Sequence, residues 1–202
     1  MTTAQVVEMS PGKMKILKAV ATLLEDPSTK ITINRIAAQV SVTEAAIYRH
    51  YRSKEDIFSA LMLYMDANFI APINAVQQQT QDTYTRLKNL FNVYMEFLEG
   101  HPGLSRLLLG HGNTEAIGVA DKAKLLNAKI RAQVALLLKY GMANGTWQST
   151  LTPEQGAELF YSLIVATAME QTFSLPQLSN DERWDIVATS IFGHKVEAAS
   201  HA

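Results

Sequence analysis

The sequence predicts an all-α protein of about nine helices in two parts, a small head over residues 1–52 and a larger helical body over 53–202. Three observations carry this. Apolar residues recur at three- and four-residue spacings along almost the whole chain, and alternation of period two is scarce. Helix starts and stops punctuate that pattern at Pro27, Thr32, Thr43, Ser53, "GHPG" and Thr152-Pro153. Charge is divided unevenly: the first sixty residues hold 8 Lys+Arg and 6 Asp+Glu, the remainder 10 and 13. A positive front therefore stands on a negative back, although the whole chain is near neutral with 18 against 19.

Each helix has a local reason. The first fits residues 12–25, with Leu17, Val20, Ala21 and Leu24 on one face, and Pro27 stops it because proline cannot continue the hydrogen-bond ladder. Thr32 is the N-cap of a short helix, "INRIAAQV", and Thr43 of the next, "EAAIYRHY". Ser53 opens a fourth helix with Asp56 three residues on, a capping-box pattern. That helix carries Ile57, Phe58, Leu61, Met62 and Met65 along one stripe and reaches about residue 78, with a local bend at Ala71-Pro72. "QQQTQDT" is a polar hinge before a fifth helix, 83–99, faced by Leu87, Leu90, Phe91, Tyr94 and Phe97. A short helix, "LSRLLLG", follows "GHPG"; longer ones are expected over 115–141, 153–173 and 181–195.

Composition excludes several classes. A hydrophobic fraction of 48% with 18% charged residues is that of a folded chain. There are no cysteines, so disulfides and thiolate metal sites are ruled out. The N-terminus lacks a basic start followed by an apolar run of export-signal length. The longest apolar stretch, 159–169, is about half of a membrane span, so no membrane partner is expected and the protein is read as cytoplasmic. No enzyme constellation assembles: there is no G-x-S-x-G elbow and no Gly-rich phosphate loop ending in Lys-Ser/Thr. The histidines at 50, 101, 111, 194 and 201 form no i,i+4 pair, and Glu96 with Glu99 reads as a solvated edge. No cofactor, metal or catalytic residue is assigned.

The basic charge of the front concentrates in "VTEAAIYRHYRSKEDIF", residues 42–58. Two short helices joined by about four residues, on a supporting helix, are the parts of a helix-turn-helix. Ile33, Ile36, Val40, Val42 and Ile47 can close its small core, and Ala37 lets the two helices cross closely. The second helix then enters the major groove of double-stranded DNA by its N-terminal end. Thr43, Glu44 and Ala45 sit on that first turn, where Thr43 can donate or accept and Ala45 can touch a thymine methyl. Tyr48, Arg49 and His50 suit the phosphate backbone, as does Lys54 at the start of the next helix. Tyr51 is read as an anchor between the head and the fourth helix.

The stretch "TINRIAAQVSVTEAAIYRHYRSKEDIF" resembles the DNA-binding signature of TetR-family regulators: a small-residue helix-turn-helix, then Tyr-x-[His/Tyr]-[Phe/Tyr]-x-[Ser/Asn]-Lys. The resemblance adds Thr32 and Arg35 to the candidate DNA contacts and implies a homodimeric repressor on a palindromic operator. Ser41 stands where the family commonly has glycine, so the serine is expected to hold a left-handed backbone. The resemblance also implies dimerisation through the last two long helices. "GAELFYSLIVATAMEQTF" is apolar on more than one face, and Phe160, Ile164, Ala166, Thr167, Trp184, Val187 and Ile191 are the candidate seam. A small-molecule effector inside the body is a further implied partner, with Phe91, Tyr94, Met95, His111, Tyr140, Trp147 and Phe173 as candidate lining.

Together with "HPGLSRLLLGHG", the signature is similar to the nucleoid-occlusion branch of this family, which binds DNA and restrains the division protein FtsZ through a groove between helices four and five. That branch implies a nucleoid-associated protein with FtsZ as a partner. Here Pro72 and Gly100, expected at the ends of those helices, stand where the branch tends to place basic side chains.

Overall fold

A computed structural model describes residues 9–26, 28–79, 82–109 and 118–193. These form nine helices: α1 (Pro11–Leu23), α2 (Ile33–Gln39), α3 (Glu44–Tyr48), α4 (Lys54–Gln79), α5 (Thr83–Gly100), α6 (Pro102–Leu108), α7 (Val119–Ala143), α8 (Pro153–Phe173) and α9 (Asn180–Phe192). No strand occurs among the described residues. Pro27 and His111 lie outside them.

The expected caps form. Thr32 Oγ1 accepts the Arg35 N–H at 3.2 Å, Thr43 Oγ1 the Ala46 N–H at 3.3 Å, and Ser53 Oγ the Asp56 N–H at 3.1 Å. Thr152 and Gln155 make a full capping box at the start of α8, 2.9 Å one way and 3.2 Å the other. Some boundaries differ. α3 ends at Tyr48, shorter than "EAAIYRHY", and the His50 N–H tightens onto the Ile47 carbonyl three residues back. Pro102 belongs to α6 rather than preceding it, because the first helical residue needs no N–H donor. Left-handed Gly193 ends α9 earlier than expected.

One apolar core runs from Ile16 of α1 to Ile191 of α9. α4 is its spine: Ile57, Phe58, Leu61, Met65, Phe69 and Ile73 are all buried. By length and composition α4 could cross a membrane, but this stripe is spent on the bundle, packed against α5 and α7. Pro72 lies within α4, which runs on to Gln79. Proline leaves the carbonyl four residues back without its helical donor. One residue on, the buried Tyr94 hydroxyl of α5 donates to the Phe69 carbonyl at 2.5 Å and pins the two helices beside this weak point.

α6 lies across the end of α1 in close contact. A Cβ on Gly103 would meet the Ala21 carbonyl oxygen at 2.4 Å, so only glycine fits there without moving backbone. Arg106 donates through its two terminal nitrogens to the carbonyls of Leu24 (2.7 Å) and Glu25 (3.0 Å), satisfying acceptors that a helix end leaves open.

Two groups of expected site residues fall elsewhere. Phe160, Ile164, Thr167, Trp184, Val187 and Ile191 are buried inside the protomer, and Ala166 is half-buried. Trp184 donates to the Tyr84 hydroxyl at 2.9 Å and packs in a tilted arrangement against Phe91, ring centroids 5.4 Å apart. The exposed apolar side chains of the last two helices are instead Leu159, Met169, Phe173 and Ile186. α8 is apolar on more than one face, and the bulkier stripe turned inward. The effector set also separates. Phe91, Tyr94, Met95 and Trp147 are packed core, the Trp147 indole donating to the Ile191 carbonyl at 3.1 Å, whereas Tyr140 and Phe173 are more than half exposed. Aromatics at helical spacing have served packing here.

The turn between α2 and α3 is a Schellman motif on Ser41, whose φ is 57°. The Ser41 N–H reaches the Ala38 carbonyl at 3.1 Å and the Val42 N–H the Ala37 carbonyl at 2.9 Å. A serine in this conformation costs about 1–2 kcal/mol, and glycine avoids that at some loss of unfolded-state restriction. Ser41→Gly is therefore expected to raise stability by about 0.5–1 kcal/mol, a gain of about 1–4 °C in Tm by circular dichroism. A lowered Tm would show that the serine hydroxyl contributes more than the backbone costs.

Candidate nucleic-acid interface

The head is built so that α3 has one face to hide and one to offer. Ile47 is fully buried against Ile36, Ala37 and Val40, and Ala37 permits the close crossing expected of it. Val42, expected in this core, is 41% exposed, because the left-handed Ser41 turns the chain outward. Thr43, Glu44, Ala45, Tyr48, Arg49 and His50 are all exposed, and Arg35 of α2 joins them. Thr32 and Lys54, at the starts of α2 and α4, are half-buried. Eight of the nine candidates thus lie on α2, α3 and the connections that flank them, and the ninth, Lys54, is the first residue of α4.

Three contacts that sequence reasoning missed fix α3 in place. Asn34 donates to the Glu44 carboxylate at 3.0 Å, tying the first turn of α3 to α2. Lys15 Nζ donates to the Val40 carbonyl at 3.1 Å, a cation at the C-terminal end of α2 where the helix dipole favours it. Tyr51 is 6% exposed, and its hydroxyl approaches the Lys13 carbonyl at 3.5 Å, so it anchors α3 to α1 as well as facing α4. Burial pushes the Tyr51 phenol up to about 12, so it remains a donor at neutral pH. The Asn34–Glu44 pair had a visible signal, an amide and a carboxylate on the two facing helices. Nothing in the sequence placed Lys15 at a carbonyl 25 residues away.

Among the described residues no carboxylate pairs with the guanidinium of Arg35, Arg49 or Arg52. Glu44, the acid on α3, is engaged with Asn34. The surface therefore presents free cations beside hydroxyl, methyl and phenol groups. Cations suit phosphates, and the short polar and methyl groups at the start of α3 suit base edges.

A second concavity of about 930 Å³ opens between α4 and α5. Asn68, Pro72, Asn89, Asn92, Glu96 and His101 are among its lining residues, with Gly100 at one end. Pro72 and Gly100 do face this groove, Pro72 from mid-helix rather than from the helix end. His101 stacks on Phe97 at 4.6 Å and its Nδ1 lies 3.0 Å from the Phe97 carbonyl, a structural seat. The lining includes no lysine or arginine.

Residues 16–61, from α1 into α4, match the family model of bacterial regulatory proteins, tetR family. The nucleoid occlusion factor SlmA of Serratia proteamaculans is 36% identical over 128 residues, covering 62% of this chain and 65% of that relative's own length. The nucleoid occlusion factor SlmA of Pectobacterium carotovorum is 29% identical over 184 residues, 88% of this chain and 93% of the relative. In fold the chain is similar to the fatty acid degradation regulator FadR from Bacillus halodurans, with a TM-score of 0.73 at 16% identity over 93% of this chain and 98% of that one. The helix-turn-helix lies within the segment that matches the tetR family of bacterial regulatory proteins, and the nine helices of the described residues share the fold of that solved regulator.

Proposed function

We propose that the protein binds double-stranded DNA as a homodimer and acts as a transcriptional regulator, a repressor that reads a palindromic operator. The observation that carries this is the two-faced α3, its inner face locked through Ile47 and its outer face exposed from Thr43 to Arg49. Thr43, Glu44 and Ala45 meet base edges; Thr32, Arg35, Tyr48, Arg49, His50 and Lys54 meet the backbone. The protein then works on the nucleoid, in the cytoplasm, and catalyses nothing. Two heads related by a twofold axis must sit about 34–36 Å apart to enter successive major grooves. We assign the seam that sets this spacing to the outer faces of α8 and α9, where Leu159, Met169, Phe173 and Ile186 are exposed.

A second reading has its own support. Relatives aligned along most of the chain are named nucleoid occlusion factors, and the α4–α5 groove is open here. On that reading the DNA-bound dimer restrains FtsZ through the groove. The groove's chemistry, carboxamides with one glutamate and no cation, favours an uncharged or basic segment over an acidic one. A map of the protein on its host's chromosome separates the two. A few sites near promoters support repression, whereas many sites depleted around the replication terminus support nucleoid occlusion. No enrichment at any site would sink both.

Contact roles are separable by substitution. Lys54→Ala should weaken binding evenly across sequences, by about 1 kcal/mol, and reduce the salt slope by about 1. Thr43→Ser keeps the cap but drops the methyl, so it should change discrimination at one base pair by about 1 kcal/mol with little effect elsewhere. Equal effects of both on every sequence would show that α3 does not read bases.

For the dimer, Met169→Asp or Ile186→Asp should give folded monomers in analytical ultracentrifugation with operator affinity reduced more than about 100-fold. Trp184→Asp should unfold the protein instead, because Trp184 is core. Dimers that survive both outer-face changes would place the seam elsewhere.

A further inference from the structure

The first turn of α1 carries a glycine at a position where helix propensity disfavours it. Gly12 follows Pro11 directly, inside the helix. A Cβ built on it would lie 2.5 Å from Cε1 and 2.7 Å from Nε2 of His50. The imidazole therefore rests against the α1 backbone, in space that any other residue's side chain would occupy. His50 is exposed and outside the core, so packing of the interior does not explain this seat.

What surrounds the seat is cationic. Lys13 Nζ stands 5.5 Å from the centroid of the Tyr51 ring. Lys13, His50 and Arg52 help to line a solvent-open notch of about 370 Å³ between the start of α1 and the start of α4. The carboxylate in the lining, Asp56, is turned onto the Arg52 backbone N–H at 3.2 Å.

We propose that Gly12 is a positioning residue for DNA binding: lacking a side chain, it seats the His50 imidazole beside Lys13 and Arg52, so that the three face one phosphodiester of the duplex. The inference rests on the DNA-binding reading above and names a part of that interface outside α3. Phosphate contacts of this kind fix the register of the protein on the duplex, and donors on charged groups make the stronger of them. A Cβ at position 12 displaces the ring from its seat without touching the core. Alanine is also the better helix former, so loss of DNA affinity should come without loss of stability.

The experiment is a two-by-two cycle on the full chain: wild type, Gly12→Ala, His50→Ala and the double variant. The probe is a duplex selected from a random-sequence library by the wild type. Kd is read by fluorescence anisotropy and Tm by circular dichroism. Gly12→Ala is expected to bind about tenfold more weakly with an equal or higher Tm. His50→Ala is expected to lose about as much, and the double variant no more than His50→Ala alone. Wild-type affinity in Gly12→Ala, or a Gly12→Ala loss that adds in full to that of His50→Ala, overturns the inference. If Gly12→Ala does not fold, the double variant decides, because its ring is gone. Folding with the affinity of His50→Ala supports the seat, and anything else rejects it. A wild type that enriches no duplex removes the DNA-binding reading itself, and this inference with it.

Discussion

The head can be aimed only because α6 is seated on the end of α1. Helix ends leave carbonyls without donors, and Arg106 fills two of them with a planar fork that a lysine could not reproduce. Gly103 brings backbone to backbone at the same place. α1 in turn holds α2 through Lys15 and α3 through Tyr51. On its other side α6 is bonded to α8, where Ser105 donates to the Gln171 side chain at 2.7 Å. A path of polar contacts thus joins α8 to the outer surface of the head, through groups that range from buried Ser105 and half-buried Arg106 to exposed Lys15. If α8 sets the distance between two protomers, it also sets the distance between two copies of α3.

Charge follows the same division of labour. Among the described residues the guanidinium groups of the head pair with no carboxylate, whereas the ion pairs Lys129–Asp66, Arg131–Glu158 and Arg183–Glu170 all belong to the body. The body's excess of acid repels a polyanion, so a nearly neutral protein can still present one attractive end to it. The groove between α4 and α5 belongs to this acidic part. Its Glu96 and three asparagines suit a partner quite unlike the one that α3 suits.

Much of this architecture was legible because its signals are local. The bounds of α8 follow from Thr152-Pro153 at one end and the loss of periodicity after Phe173 at the other. The caps at Thr32, Thr43 and Ser53, and the left-handed Ser41, are each decided within four residues of chain. The exposed set at α3 was legible for the same reason, since α3 is short and Ile47 alone fixes which face points inward. Facing could not be read for α8. A helix apolar on more than one face does not say which stripe meets its own bundle, and the bulky Phe160 and Ile164 went inside. Nor could α5 aromatics be told from pocket lining, because Phe91 and Tyr94 find partners such as Trp184, Phe160 and Phe69 far along the chain.

The head also shows why its recognition face cannot be considered apart from the body. Its buried apolar side chains are Ile31, Ile36, Ala37, Val40, Ile47 and Tyr51, on a base of Ile16, Leu17, Ala19, Val20 and Leu24 from α1 and its end. Small modules bury too little surface for stability on their own, and this one carries a left-handed serine and a helical glycine as well. Ile57 and Phe58 of α4 and the clamp from α6 supply what the head lacks. A surface rich in unpaired cations and exposed polar groups gains little from its own folding. It is held in a fixed shape by contacts made behind it, and that arrangement leaves the exposed groups of α3 other than Glu44 free for a partner.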